Sequence, residues 1–231
     1  MKGIVTGYSS GIGKAICEKL EVHGYEVIKL KARLEDIVGV EKEVKEILKK
    51  SDIDFLINCA GIGVFEPHEE LSHAKIAKLI AINLTAPILL SNLVLRSLKK
   101  TKGNIINITS IEATRHSKFS ALYTATKSGL RDFSLALFEE VRKDGVKVTS
   151  INPDMTMTPF FDNLKFKPSS KEGNHLLASE VADTVYEVLH SKIAITDLTL
   201  RSQYFGIEKN RDITAQSNNM KFSQRECFAQ E

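Results

Sequence analysis

The chain has 231 residues, 42% hydrophobic and 26% charged, enough for one α/β domain with a sizeable core and too few for two ordinary ones. Its 32 basic and 29 acidic residues leave a net charge of +3 with no basic block, which argues against a nucleic-acid partner. Cys17, Cys59 and Cys227 are scattered, without a Cys-x-x-Cys pair or metal spacing, so a cytoplasmic protein with no bound metal is expected.

The first strand is predicted at Lys2 to Thr6, directly at the start, so no signal peptide is expected. It runs into Thr6-Gly7-Tyr8-Ser9-Ser10-Gly11-Ile12-Gly13 and then a helix with Ile12, Ala15, Ile16 and Leu20 inward, ending near Gly24. Strand, glycine turn and helix form a phosphate-binding arrangement, because backbone N–H groups and the helix N-terminus point at an anion. The glycine spacing is Gly-x3-Gly-x-Gly, unlike the general dinucleotide fingerprint. A second strand is expected over Glu26 to Leu30, then a brief segment from Lys31 to Val38 and a helix with Val40, Val44, Ile47 and Leu48 inward.

A buried strand follows at Ile53 to Asn58, ending in Asn58-Cys59-Ala60-Gly61. Glu69 to Lys100 reads as one long helix or two short ones; Asn83, Pro87, Ser91, Asn92 and Arg96 interrupt its apolar run and argue against a membrane span. Asn104 to Thr109 and Val146 to Ile151 are further strands, with Glu180 to His190 a helix and Ile193 to Leu200 the last strand. Strands alternating with helices imply a parallel sheet covered on both faces. Between Asp154 and Ala178 the pattern lapses, as in a substrate loop, where Met155, Met157, Phe160 and Phe161 form either an apolar lid or the core of a small flap. The domain is expected to occupy residues 1–207, with 208–231 a polar, mobile tail.

The chemistry concentrates between Thr109 and Lys127. Apolar residues at Leu130, Phe133, Leu137, Phe138 and Val141 give a helical spacing that sets Tyr123 and Lys127 one turn apart on one face. A phenol beside an ammonium is an acid–base device, since a nearby positive charge lowers the phenol's pKa. Ser110, at the end of a buried strand, can offer its hydroxyl to the same reacting oxygen. His116 either lines the substrate mouth or is an exposed loop residue. His68 and His73 lack a third ligand and read as surface histidines, and Cys59 as a small buried apolar residue.

Together TGYSSGIG, NCAG, Asn83, Ser110, Tyr123-x3-Lys127 and Asn152-Pro153 before Thr158 resemble the short-chain dehydrogenase/reductase family, in its single-domain branch, from Lys2 to about Ile207. The resemblance implies a Rossmann-like doubly wound sheet in three layers and hydride transfer between a nicotinamide cofactor and a small carbonyl or secondary alcohol. It makes Tyr123 the general acid or base, Ser110 the group that polarises the substrate oxygen, and Lys127 the residue that holds the ribose and lowers the Tyr123 pKa. Asn83 would hold a relay water at a helix kink. Gly7, Ser9, Ser10, Gly11, Ile12 and Gly13 would wrap the phosphates; Asn58, Ala60 and Gly61 would line the adenosine side. Pro153, Thr156 and Thr158 would meet the nicotinamide carboxamide and phosphate.

Three departures stand out: Pro153-Asp154 where the family has Pro-Gly, Asn58-Cys59 for Asn-Asn, and a second helix and third strand that read as shortened. Asp36 is then the expected adenine contact. Lys31, where an acidic residue would favour NAD, and Arg33 imply a preference for NADP(H). A homodimer or homotetramer through the helices around Asn83 and Tyr123 is implied as well. The competing readings are a sugar-nucleotide epimerase or dehydratase, for which the chain is short, and a catalytically idle nucleotide-sensing or scaffold protein, which would be expected to lose Tyr, Lys or Ser.

Overall fold

The computed structural model describes residues 1–210. β1 (Lys2–Val5) and β3 (Phe55–Asn58) are apolar runs without a polar alternation, as strands buried on both faces require. With β2 (Glu26–Ile28), β4 (Asn104–Ile108), β5 (Lys147–Pro153) and β9 (Asp197–Leu200) they form a six-stranded parallel sheet in the order β2-β1-β3-β4-β5-β9. The direction of winding changes between β1 and β3, which opens a crevice beyond their carboxyl ends.

The helices divide between the two faces. On one side α1 (Gly11–Val22) and α6 (Ala178–His190) bury Ile16, Leu20, Val185 and Leu189 against Val5, Ile57, Ile106 and Ile151. On the other, α2 (Ile37–Lys50), α4 (Ala86–Thr101) and α5 (Ala121–Val141) bury Val40, Val44, Leu90, Val94, Leu98 and Leu137 against Ile4, Leu56, Ile105 and Val148. Each such side chain, fully buried, contributes about 1.5–3 kcal/mol, so the sheet interior and its two covers hold the fold.

α3 (His73–Ile80) and α4 are joined by a single π-helical turn, Ala81–Thr85, so 73–101 is one interrupted rod. By length and composition that rod could cross a membrane, yet Leu90, Val94 and Leu98 belong to the protein core. Beyond β5 come β6 (Thr156–Met157), β7 (Phe166–Pro168), β8 (Leu176–Leu177) and β10 (Ile207–Lys209), in two small ribbons, β6 with β8 and β7 with β10.

Three expectations change in detail. α2 runs 14 residues and β3 four, as many as β1, so neither is short; β2 has only three residues, not the five expected, and is the sheet edge. β2 stops at Ile28 because Tyr8 Oη donates to the Leu30 carbonyl and Glu43 takes the Lys31 and Ala32 N–H groups, bonds that replace a strand ladder. The segment placed in the tail at Glu208 is also ordered as far as Asn210. Glu208 accepts from the Ser170 N–H at 2.8 Å, and the Asn210 N–H donates to the Lys165 carbonyl at 3.0 Å. Residues 211–231 lie outside the described residues.

Candidate active site

A cavity of about 440 Å³ opens at the carboxyl ends of β1, β3, β4 and β5. Its floor is the glycine turn, and the reason for glycine there is close approach: a Cβ on Gly13 would stand 2.1 Å from the Gly7 carbonyl oxygen, and one on Gly7 2.8 Å from the Ala60 backbone. Ser10 is the N-cap of α1 in an extended conformation, and its side chain makes no capping bond. The first N–H groups of α1 therefore lack a side-chain cap and belong to the wall of the cavity, as a bound pyrophosphate requires. The glycine cradle and uncapped helix end fit a dinucleotide. Gly7, Ser9, Ser10, Gly11, Ile12, Gly13, Ala60, Gly61, Pro153, Thr156 and Thr158 all line it, together with Ser110, Tyr123 and Lys127.

Tyr123 and Lys127 lie on the buried face of α5, at 6% and 4% exposure. The Lys127 Nζ donates to the Ile108 carbonyl at 3.0 Å and stands 5.9 Å from the centre of the Tyr123 ring. It runs beneath Gly61, where a Cβ would come within 3.3 Å of it, a tight approach. Burial lowers the Lys127 pKa to about 8. Burial also drives the Tyr123 phenol up to about 12, against the Ser110 hydroxyl, which bonds to it and pulls it down, while the Glu112 charge adds to the rise. The sequence expectation was the reverse, a phenol lowered by Lys127. Desolvation wins because Tyr123 is enclosed, and the ammonium is held on the Ile108 carbonyl instead of on the phenol oxygen.

Asn83 sits in the π turn, fully buried. Its Oδ1 accepts from the Ile62 N–H and its Nδ2 donates to the Ile62 carbonyl, both at 2.9 Å. A second bond, 3.4 Å to Thr126 Oγ1, ties the turn to α5. The kink thus clamps the loop after β3 beside Lys127. The Asn83 side-chain amide is thus bonded to the Ile62 backbone.

Two other expected contacts are elsewhere. Asn58 does not line the cavity: it is 2% exposed and donates from Nδ2 to Asn107 Oδ1 at 2.8 Å, inside the sheet. β3 ends at Asn58, and it is Cys59 and Ala60, beyond the strand's end, that line the cleft. Asp36 is the N-cap of α2, accepting from the Gly39 N–H at 3.0 Å, so Leu34 and Glu35 take its place in the cavity wall. Lys31 and Arg33 line an adjoining pocket of about 260 Å³ with Tyr8, Ser9 and Ala60. Among the described residues neither has an ion-pair partner, while Glu35 lies 3.8 Å from Lys78.

Ile62, Ile82, Ile108, Thr109 and Pro159 also line the cavity and were not anticipated, since such residues carry no signal distinct from core; Phe160 and Phe161 reach it as well. On the far side of Tyr123 a second pocket, about 240 Å³, is lined by Phe65, Ile111, Glu112, Arg115, Met155, Phe160, Phe161 and Phe166 among others. Of the four lid candidates, Met155, Phe160 and Phe161 face it and Met157 is 38% exposed; His116 is exposed and lines neither pocket. Asp154, in place of glycine, is buried and bonded to the Met155 N–H, with Arg201 at 3.3 Å and Arg115 at 3.8 Å.

Residues 34–168 match the family model described as short chain dehydrogenase, which is more than half the chain, and the protein belongs to that family. An uncharacterized oxidoreductase of Staphylococcus epidermidis is 29% identical over 223 residues, covering 86% of this chain and 95% of its own. The 3-oxoacyl-[acyl-carrier-protein] reductase of Buchnera aphidicola is 32% identical over 183 residues, 69% of this chain and 75% of that one. Among solved structures, an alcohol dehydrogenase of the archaeon Thermococcus sibiricus complexed with 5-hydroxy-NADP superposes with a TM-score of 0.80 at 26% identity, over 89% of this chain and 97% of that one. The chain is an NAD(P)-dependent dehydrogenase/reductase with the Rossmann-like fold of that family.

Proposed function

We propose that the protein interconverts a carbonyl and the corresponding alcohol with NADP(H), Tyr123 moving the proton. When bound, the nicotinamide would donate or accept the hydride. Ser110 holds the substrate oxygen beside the phenol. In reduction the Tyr123 O–H gives its proton to that oxygen as negative charge grows there; in oxidation the phenolate takes it back. A phenol raised to about 12 is protonated at neutral pH, so the resting site is set for donation. Lys127, charged below pH 8, lies where it can hold ribose hydroxyls and stabilise the phenolate left after transfer. The glycine turn and the first turn of α1 would hold the pyrophosphate, and Lys31 and Arg33 the ribose 2′-phosphate.

The observation that carries the reading is the meeting of Ser110, Tyr123 and Lys127 on one wall of a cavity whose opposite wall is the glycine cradle. For the cofactor preference the support is two cations without ion-pair partners on the adjoining pocket. The test is kcat/KM for NADPH and NADH with a carbonyl panel, using the native chain, Tyr123→Phe and Lys31→Asp. Tyr123→Phe should lose about 10²–10⁴-fold in kcat with cofactor still bound. Charged hydrogen bonds contribute about 1.5–3 kcal/mol, so Lys31→Asp should cut the NADPH preference roughly tenfold or more. Normal turnover by Tyr123→Phe sinks the mechanism; an unmoved cofactor ratio sinks the 2′-phosphate assignment.

A further inference from the structure

We propose that the substrate is a carbonyl carrying an aromatic ring, held in a cage of phenylalanines beside the reacting tyrosine. The proposal rests on reading Ser110 and Tyr123 as the reacting centre. Around Tyr123 the rings form a connected set: Phe65 lies 5.0 Å from Tyr123 and 5.1 Å from Phe166, centre to centre, and Phe160 lies 6.1 Å from Tyr123. Phe161 closes the set at 5.1 Å from Phe160 and 5.9 Å from Phe166. Most of these pairs are edge-on or tilted, the arrangement aromatic rings prefer, so the cage is built and does not need to collapse onto a ligand to exist.

Phe65, Phe160 and Phe166 remain half-buried in a concave pocket of about 240 Å³. Apolar surface left wet inside a pocket is where burial of a ligand gains most. The volume is below the roughly 300–1,000 Å³ of drug-sized sites, which suits a single ring beyond the carbonyl. Arg115 in the wall is paired: its Nε lies 3.2 Å from the Glu112 carboxylate and its Nη2 3.8 Å from Asp154. Lys118, also in the wall, has its Nζ 4.8 Å from the centre of the Phe119 ring.

The experiment compares benzaldehyde and propanal as substrates with NADPH, in the native chain and in Phe166→Ala. Phe166 lines the substrate pocket and not the cofactor cavity. Benzaldehyde should exceed propanal at least tenfold in kcat/KM. Phe166→Ala should cost benzaldehyde tenfold or more and propanal less than threefold, with the KM for NADPH unchanged. A preference for propanal that still requires Tyr123 overturns the cage while leaving the catalytic reading intact. So does a Phe166→Ala variant that lowers both substrates equally. Ligand-observed NMR of benzyl alcohol with the NADP⁺-loaded protein reads the pocket without turnover. Ring saturation transfer that Phe166→Ala removes supports the cage; none with the native protein overturns it.

Discussion

Lys127 shows what the site costs the fold. A lysine ordinarily titrates near 10.5 and here near 8, so at neutral pH the native protein holds a charged, desolvated ammonium worth about 3 kcal/mol of destabilisation. Because the folded value is lower, the unfolded chain binds more protons between pH 8 and 10.5, and this penalty fades as pH rises through that window. Lys127→Met should therefore melt higher than the native protein at pH 7 while losing activity. The difference should shrink between pH 8 and 10.5. Comparing the two proteins is the clean measurement, since Tyr123, Cys17 and Cys59 all titrate high, and their stabilising effect is lost from both chains in strong base. A Lys127→Met protein less stable at pH 7 would mean the bond to Ile108 outweighs desolvation. That Tyr123 and Lys127 share the buried face of α5 was legible because a helical period fixes which residues share a face. The direction of the Tyr123 shift was not, because burial depends on Phe65 and Phe160, which reach the ring from distant segments.

At the scale of elements, the π turn is the joint between cofactor wall and catalytic helix. Asn83→Ala would leave the Ile62 N–H and carbonyl without their partner, at about 1–3 kcal/mol for each unsatisfied group. We expect a loss of about 2–4 kcal/mol in urea unfolding and weaker cofactor binding, since Ile62 lines the cavity. Native-like stability in Asn83→Ala would refute the clamp. Strand and helix identities followed from apolar period almost throughout, and the glycine turn from spacing. What could not be read was the end of β2, because the Tyr8, Glu43 and Leu30 groups that terminate it are brought together only by the fold. Asp36 failed as an adenine contact for a related reason: an aspartate three residues before Gly39 is a helix cap, and local bonding took precedence.

Across the whole molecule, the substrate pocket depends on a segment the core does not need. Ile207 lines the pocket from β10, while among the described residues none beyond Leu200 belongs to either core cluster. A chain ending after Gly206 should melt within a few degrees of one ending after Asn210, because the ribbon buries little apolar surface. Its KM for the carbonyl should rise severalfold with the KM for NADPH unchanged. Equal substrate constants for the two chains would show that the ribbon is idle. A polar composition concealed this segment: its order comes from backbone pairing with β7 and from Glu208 and Asn210 side chains on loop backbone, interactions with no apolar period to announce them.

The ribbon also sets an order of completion during synthesis. β1 to β5 emerge from the ribosome long before Ile207, and domains fold largely from the N-terminus as they appear. α6 and β9, which the core needs, come off next, so the ribbon that walls the proposed substrate pocket is the last piece to pair. A nucleotide bound in the cleft would then stabilise the chain before that pocket is complete.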